Sequence, residues 1–237
     1  MSIFQSWFNS GAEGIVVFLI SVLAVLFSLS IHEFSHGFAA YKMGDETAKL
    51  SGRLNLNPLS HLDPIGALFL LLYRFGWAKP VPVNPNNFKN RKAGMVITSL
   101  AGPASNLIVA FIALLILNLF DLSGTFLAAS RVGFSSSASA LQRIIYVIIL
   151  LFQNLILINI GLAIFNLLPI PPLDGSKVLG AVLPMHIYFK IMQYERFGFI
   201  ILIVLINIPF FSAFLSTCMN GIINAYQAVI DLLLFFV

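Results

Sequence analysis

A chain of 237 residues that is 59% hydrophobic and only 9% charged lies far below the roughly 25% charged residues of soluble domains, and its mean hydropathy of +0.96 excludes a water-soluble globular protein. The formal net charge of +4 does not point to nucleic acid, because the basic residues gather in loops flanking apolar spans, where membrane topology accounts for them. The single cysteine, Cys218, excludes an intramolecular disulfide and reads as a small buried hydrophobe.

The first apolar run contains Gly14 to Ser30 (GIVVFLISVLAVLFSLS) without a charge. No Lys or Arg precedes it, so it reads as a retained span over about residues 13–40 and not as a cleaved signal. Its end carries His32-Glu33-Phe34-Ser35-His36. On a helix, two His four residues apart differ by about 40° in azimuth and about 6 Å in rise, so both imidazoles reach one metal ion. Glu33 then projects beside that metal, where it can act as general base on zinc-bound water and return the proton to a leaving amine. Ionisable groups at membrane depth are costly, and their default role is functional.

Eight basic residues follow between positions 42 and 92 (Lys42, Lys49, Arg53, Arg74, Lys79, Lys89, Arg91, Lys92), against none before the first span. That bias puts the N-terminus outside and this loop in the cytoplasm. Within it, Ile65 to Phe75 is too short to span and reads as a re-entrant or interfacial piece. Gly76 to Pro85 (GWAKPVPVNP) is extended, because alternate prolines exclude helix. Pro80 and Pro82 blank one edge of that segment, whereas Val81 and Val83 keep N–H donors on the other. Such an edge could receive a substrate segment by strand addition; the competing reading is a rigid loop against the membrane surface. His61 and His186 lack an i,i+4 partner and read as loop hydrogen-bonders.

The second span, about residues 93–118, contains Gly102-Pro-Ala-Ser-Asn106. The spacing places a kinking proline and a polar amide inside the span. Asn106 either steadies a developing oxyanion or substrate backbone, or glues spans by an interhelical hydrogen bond. After a Ser/Gly-rich external loop at Ser130 to Ser139, the third span, about 144–168, returns to the cytoplasmic side. There it delivers Asn166-Leu-Leu-Pro-Ile-Pro-Pro-Leu-Asp174-Gly175. Asn166 lies on a helix face that can meet the site, while Asn154 and Asn159 read as packing residues. Asp174 follows a proline-broken helix and is the best third ligand. Three protein ligands leave a fourth position for water, the open geometry of a catalytic zinc site. A last full span, about 197–218, carries Asn207 and Pro209, which suggest a kink. Ile222 to Val237 is marginal: a short closing span or an interfacial helix.

The fold class is therefore an all-α multi-pass membrane protein of about 4–6 transmembrane helices, with a re-entrant or β-hairpin segment near residues 50–88. It reads as one domain over 1–237, with a core at 15–180 and C-terminal helices at 197–237.

HEFSH at 32–36, GPASN at 102–106 and NLLPIPPLDG at 166–175, with GRLNLNPLSHLDPIG at 52–66 and GWAKPVPVNP at 76–85, resemble the site-2 protease family of intramembrane zinc metalloproteases. The likeness is greatest to small prokaryotic members without PDZ or CBS domains and covers about residues 15–180. It implies that His32, His36 and Asp174 hold one Zn2+ per chain, that Glu33 is the general base, and that Asn106 and Asn166 lie close to the site. The expected activity is cleavage of peptide bonds in or beside the transmembrane segment of another membrane protein, in the cell membrane, with the site toward the cytoplasm. The partners are that substrate segment and the lipid bilayer; oligomeric state stays open. The alternative is a zinc-binding membrane pseudoprotease or transporter without hydrolysis. Transport would want ionisable groups spread through several spans, whereas here they gather at one depth.

Overall fold

A computed structural model describes residues 11–66, 78–121, 133–135 and 138–235. Every regular element among them is helical: α1 (Gly11–Met43), α2 (Thr47–Leu50), α3 (Pro58–His61), a 3₁₀ turn (Pro85–Asn87), α4 (Arg91–Asp121), α5 (Ala140–Asn166), α6 (Asp174–Val182), α7 (Met185–Met192), α8 (Glu195–Ile206) and α9 (Pro209–Leu234). Three stretches are long and apolar enough to cross a membrane: Glu13–Met43 in α1, Arg91–Phe120 in α4 and Ala140–Asn166 in α5. The protein is an all-α multi-pass membrane protein.

α1, α4 and α5 pack against one another, and α9 lies against α4 and α5. Their shared core is Ala24, Ala110, Ala113, Leu117, Leu155, Ile156 and Ile160. Small side chains at the crossings let backbones approach closely, which matters in lipid because apolar side chains gain little there by merely meeting one another. The outward faces are apolar: Ile15, Leu19, Leu23 and Phe27 form an exposed stripe at four-residue spacing on α1.

The C-terminal region departs from the expected spans. The stretch expected to cross at 197–218 is broken: α8 ends at Ile206, α9 starts at Pro209, and the two axes are bent by 87°. Pro209 lacks the N–H needed to continue a helix, and Asn207 turns its side-chain amide back onto the Ile203 carbonyl (2.7 Å). The pair provides a fourth crossing if it forms one broken span. Residues 222–234, read as a marginal separate piece, continue α9.

The segment near 50–88 contains one antiparallel bridge among the described residues, Leu62 with Ala78, supported by the Lys79 N–H donating to the His61 carbonyl (2.8 Å). Most of the short apolar stretch Ile65 to Phe75 lies outside the described residues, as does part of the expected loop at 130–139.

How α1 ends decides where this segment sits. Gly44 has φ +111°, and its N–H donates to the Tyr41 carbonyl while the Asp45 N–H donates to the Ala40 carbonyl; these bonds make a Schellman terminus. The turn buries Asp45 completely. Its carboxylate accepts from the Thr47 amide and hydroxyl, the Asn84 amide (2.7 Å) and the Asn87 side chain (2.8 Å). The extended segment is thus pinned to the cytoplasm-facing end expected for the first span.

Burial works to raise the Asp45 pKa, but the donors from Thr47, Asn84 and Asn87 outweigh it and hold the carboxyl below its ordinary value. A depressed folded pKa contributes stability that is complete above the unfolded value and lost as pH falls through the folded one. Asp45→Ala should therefore destabilise the protein by on the order of 2–3 kcal/mol near neutral pH. Thermal unfolding in detergent should show the wild-type advantage shrinking below about pH 4.

Candidate metal centre

His32 and His36 both point from one face of α1 into the helix core and are buried. Their rings meet edge to face, with centroids 4.5 Å apart, and their Nε2 atoms are 3.0 Å apart. The Oδ2 atom of Asp174 closes the triangle, 3.1 Å from His32 Nε2 and 3.0 Å from His36 Nε2. Among the described residues this is the one group of three His, Cys, Asp or Glu residues whose donor atoms converge in this way.

Asp174 arrives there because the chain reverses after α5. Prolines at 169, 171 and 172 prevent α5 from continuing, and α6 begins at Asp174 itself. Gly175 makes the reversal sterically feasible, since a Cβ there would collide with the Leu167 carbonyl. α6 then packs against α4.

Each ligand atom facing the triangle has its other polar atom held. His32 Nδ1 meets Asn106 Oδ1 at 2.6 Å. His36 Nδ1 donates to the Thr98 carbonyl at 2.6 Å. Asp174 Oδ1 accepts from Lys177 Nζ at 3.0 Å. α4 supplies Thr98 and Asn106, and Pro103 lies between them inside the helix. Gly102, one residue earlier, faces the rings: a Cβ at this position would lie 2.5 Å from His36 Nε2 and 2.6 Å from His32 Cε1.

The donor set fits zinc. Two imidazole nitrogens and one carboxylate oxygen are ordinary zinc ligands, and tetrahedral ligands at about 2.0–2.2 Å from the ion are about 3.3–3.6 Å from one another. The observed spacings are only slightly tighter. The outer hydrogen bonds match the usual support of metal-ligating His, whose second nitrogen donates to a carbonyl or carboxyl-type oxygen.

A cavity of about 820 Å³ opens at this triangle, and His32, Glu33, His36 and Asp174 all line it. Glu33 is partly exposed, and its Oε2 accepts the Val81 N–H at 2.9 Å. The expected substrate edge is therefore positioned against the glutamate, with the Val81 donor already engaged. Val83 also lines the cavity, and its N–H has no partner among the described residues. Arg53 secures the segment through the Lys79 carbonyl (2.8 Å).

The two asparagines separate. Asn166 lines the cavity and donates one N–H to the Leu162 carbonyl (3.0 Å), leaving its second N–H available. Asn106 is fully buried behind His32, and its Nδ2 donates to Asn159 Oδ1 (2.6 Å) and weakly to the Ser28 carbonyl (3.3 Å). Its contact is with His32 and not with the cavity. Of the other histidines, His61 holds the Asn55 carbonyl (2.8 Å) in its loop, and His186 is exposed on α7.

Sequence patterns did not single out Thr98, Lys177, Asp45 or Gly102 individually. Thr98 and Lys177 carried weak signals, as one position in the turn before GPASN and as the i+3 neighbour of Asp174. Asp45 resembled any turn residue after a helix.

The model of peptidase family M50 matches residues 20–208. "Putative zinc metalloprotease YwhC" of Bacillus subtilis is 39% identical over 218 residues, covering 90% of this chain and 93% of the relative. Rip2 of Mycolicibacterium smegmatis is 28% identical over 198 residues, covering 81% of this chain and 68% of the relative, and Rip2 of Mycobacterium tuberculosis is 29% identical over 209 residues, covering 86% and 70%. No solved structure matches the chain. A match extending from the first apolar helix through the Asp174 reversal to the α8–α9 break establishes that the chain belongs to peptidase family M50.

Proposed function

We propose that this protein is an intramembrane zinc metalloprotease that hydrolyses peptide bonds in or beside transmembrane segments of other membrane proteins. The observation that carries it is the convergence of His32, His36 and Asp174 within 3.0–3.1 Å of one another, with Glu33 beside them on the same cavity. The family and the zinc-metalloprotease descriptions of its relatives agree with this activity.

In this mechanism His32, His36 and Asp174 hold one zinc per chain. The ion, when bound, supplies Lewis-acid activation of water and of the scissile carbonyl. Glu33 accepts the proton of the attacking water and delivers it to the leaving amine. The second N–H of Asn166 is placed to hold substrate backbone or the developing oxyanion. Val83 offers a main-chain donor to an extended substrate, which suits a protease because a helical peptide bond must be unwound before it is cut. The apolar cavity wall, including Leu29, Phe165 and Leu202, suits the side chains of a membrane segment.

The basic bias of the 42–92 loop supports a site at the cytoplasmic side of the cell membrane. Glu195 and Leu202 of α8 line the cavity, which supports approach of a substrate segment alongside α8.

Glu33→Gln should retain zinc and lose activity by about 10²–10⁴-fold, whereas His32→Ala and Asp174→Ala should lose zinc as well. Zinc content and cleavage of a model transmembrane substrate, measured together on purified protein in detergent, check this. Zinc loss from Glu33→Gln would contradict its role as base. Gly102→Ala removes no ligand, yet its methyl would displace both imidazoles. Metal analysis should find it zinc-deficient, and normal zinc content would show that the close approach is relieved elsewhere.

A further inference from the structure

The zinc ligand His32 is backed by a buried chain of amides whose polarity is dictated from its far end. Ser28 Oγ donates to the Ala24 carbonyl at 2.7 Å. Having given its one hydrogen to that carbonyl, the hydroxyl can only accept from Asn159, whose Nδ2 lies 2.7 Å away. The same Nδ2 donates to the Leu155 carbonyl at 2.8 Å. Both hydrogens of the Asn159 amide are thus assigned by acceptors that cannot donate.

Asn159 must therefore turn Oδ1 toward Asn106. That oxygen accepts from Asn106 Nδ2 at 2.6 Å, and the Ser28 carbonyl holds the same amide from another side at 3.3 Å. Asn106 is left with Oδ1 facing His32 Nδ1 at 2.6 Å. An amide oxygen only accepts, so the imidazole must carry its proton on Nδ1 and direct the Nε2 lone pair into the triangle. Ser28, Asn106 and Asn159 are fully buried, so no water competes to reverse the sequence. A reversed Asn106 would place an NH₂ against the ring and favour the opposite tautomer, with Nε2 protonated and unable to bind metal.

We propose that Ser28, Asn159 and Asn106 form a proton-registry relay across α1, α5 and α4 that sets His32 in its metal-binding tautomer. Asn159 is then a positioning residue for zinc although it touches neither a ligand nor the cavity. The relay rests on the zinc-site assignment above. His36 needs no such chain, because the Thr98 carbonyl fixes its tautomer directly.

A matched pair elsewhere on the same helices separates positioning from packing. Asn154, also on α5, donates to the Leu150 carbonyl (2.8 Å), and its Oδ1 lies 3.0 Å from Ser21 Oγ of α1, whose one hydrogen is shared with the Val17 carbonyl at 3.0 Å. It glues the same two helices without a connection to His32.

The test is zinc affinity by chelator competition on the full-length protein in detergent, for wild type, Asn159→Leu, Asn154→Leu and the double variant Asn159→Leu/Asn106→Asp. Zinc-free thermal unfolding is recorded alongside. Asn159→Leu should bind zinc about 10–100-fold more weakly, and Asn154→Leu should bind it like wild type even where its unfolding temperature falls. The double variant should recover most of the affinity, because a carboxylate accepts from Nδ1–H in either orientation and needs no relay to direct it. Wild-type affinity in Asn159→Leu, an equal loss in Asn154→Leu, or no recovery in the double variant would each overturn the relay. Failure of the wild type to bind zinc would instead overturn the metal-site assignment.

Discussion

Everything in this fold converges on three electron-rich atoms held within about 3 Å of one another in a buried site: His32 Nε2, His36 Nε2 and Asp174 Oδ2. Lone pairs do not gather in this way without positive charge between them, and burying unpaired polar groups costs several kcal/mol. The protein resists the escape routes available to such groups. The outer nitrogen of each imidazole is committed to a fixed acceptor, and the outer oxygen of the carboxylate faces Lys177. The cluster could hold a cation, and α1, α4 and α6 pack together around it.

Backbone devices bring the ligands together more than side-chain bulk does. Gly102 lets α4 approach the two rings closely, and Gly175 lets α6 start against the end of α5. The Gly44 terminus of α1 turns Asp45 inward, so that the extended segment with Val81 and Val83 lies over Glu33. These features sit at three different chain positions but serve one volume, the cavity of about 820 Å³ lined by Glu33, His32, His36, Asp174, Val81 and Val83. A helix bundle in lipid gains little from apolar contact alone, so close approach and satisfied polar groups become the natural means of fixing such a site.

The parts of this arrangement that follow from local periodicity were legible in the chain. The spacing of His32 and His36 is a property of any α-helix, and the apolar lengths of α1, α4 and α5 announce spans. Asp174 was legible through topology, because an odd number of crossings separates it from the first span's start and returns it to the same side as the histidines. Asn207 and Pro209 signalled a kink, but its angle of 87° depends on what α8 and α9 pack against. Hydrogen-bond direction was not legible at all. Asn159 read as packing and Asn106 as either an oxyanion donor or interhelical glue, and only the contacts of Asn159 with the Ser28 hydroxyl and the Leu155 carbonyl, and of Asn106 with the Ser28 carbonyl, reveal which end of each amide faces His32. The Val81 donor was visible from the proline pattern, yet its acceptor, Glu33, lies 48 residues away. Asp45 is a residue whose whole role is set by partners from a distant loop.

X-ray absorption at the zinc edge decides whether the buried His32–His36–Asp174 triangle is a zinc site with an open position. Applied to the purified full-length protein, it should find one zinc per chain with two imidazole nitrogens and oxygen ligands at about 2.0–2.2 Å, completing four-coordination. A sulfur ligand, an all-oxygen shell or a signal from fewer than two imidazoles would contradict the account.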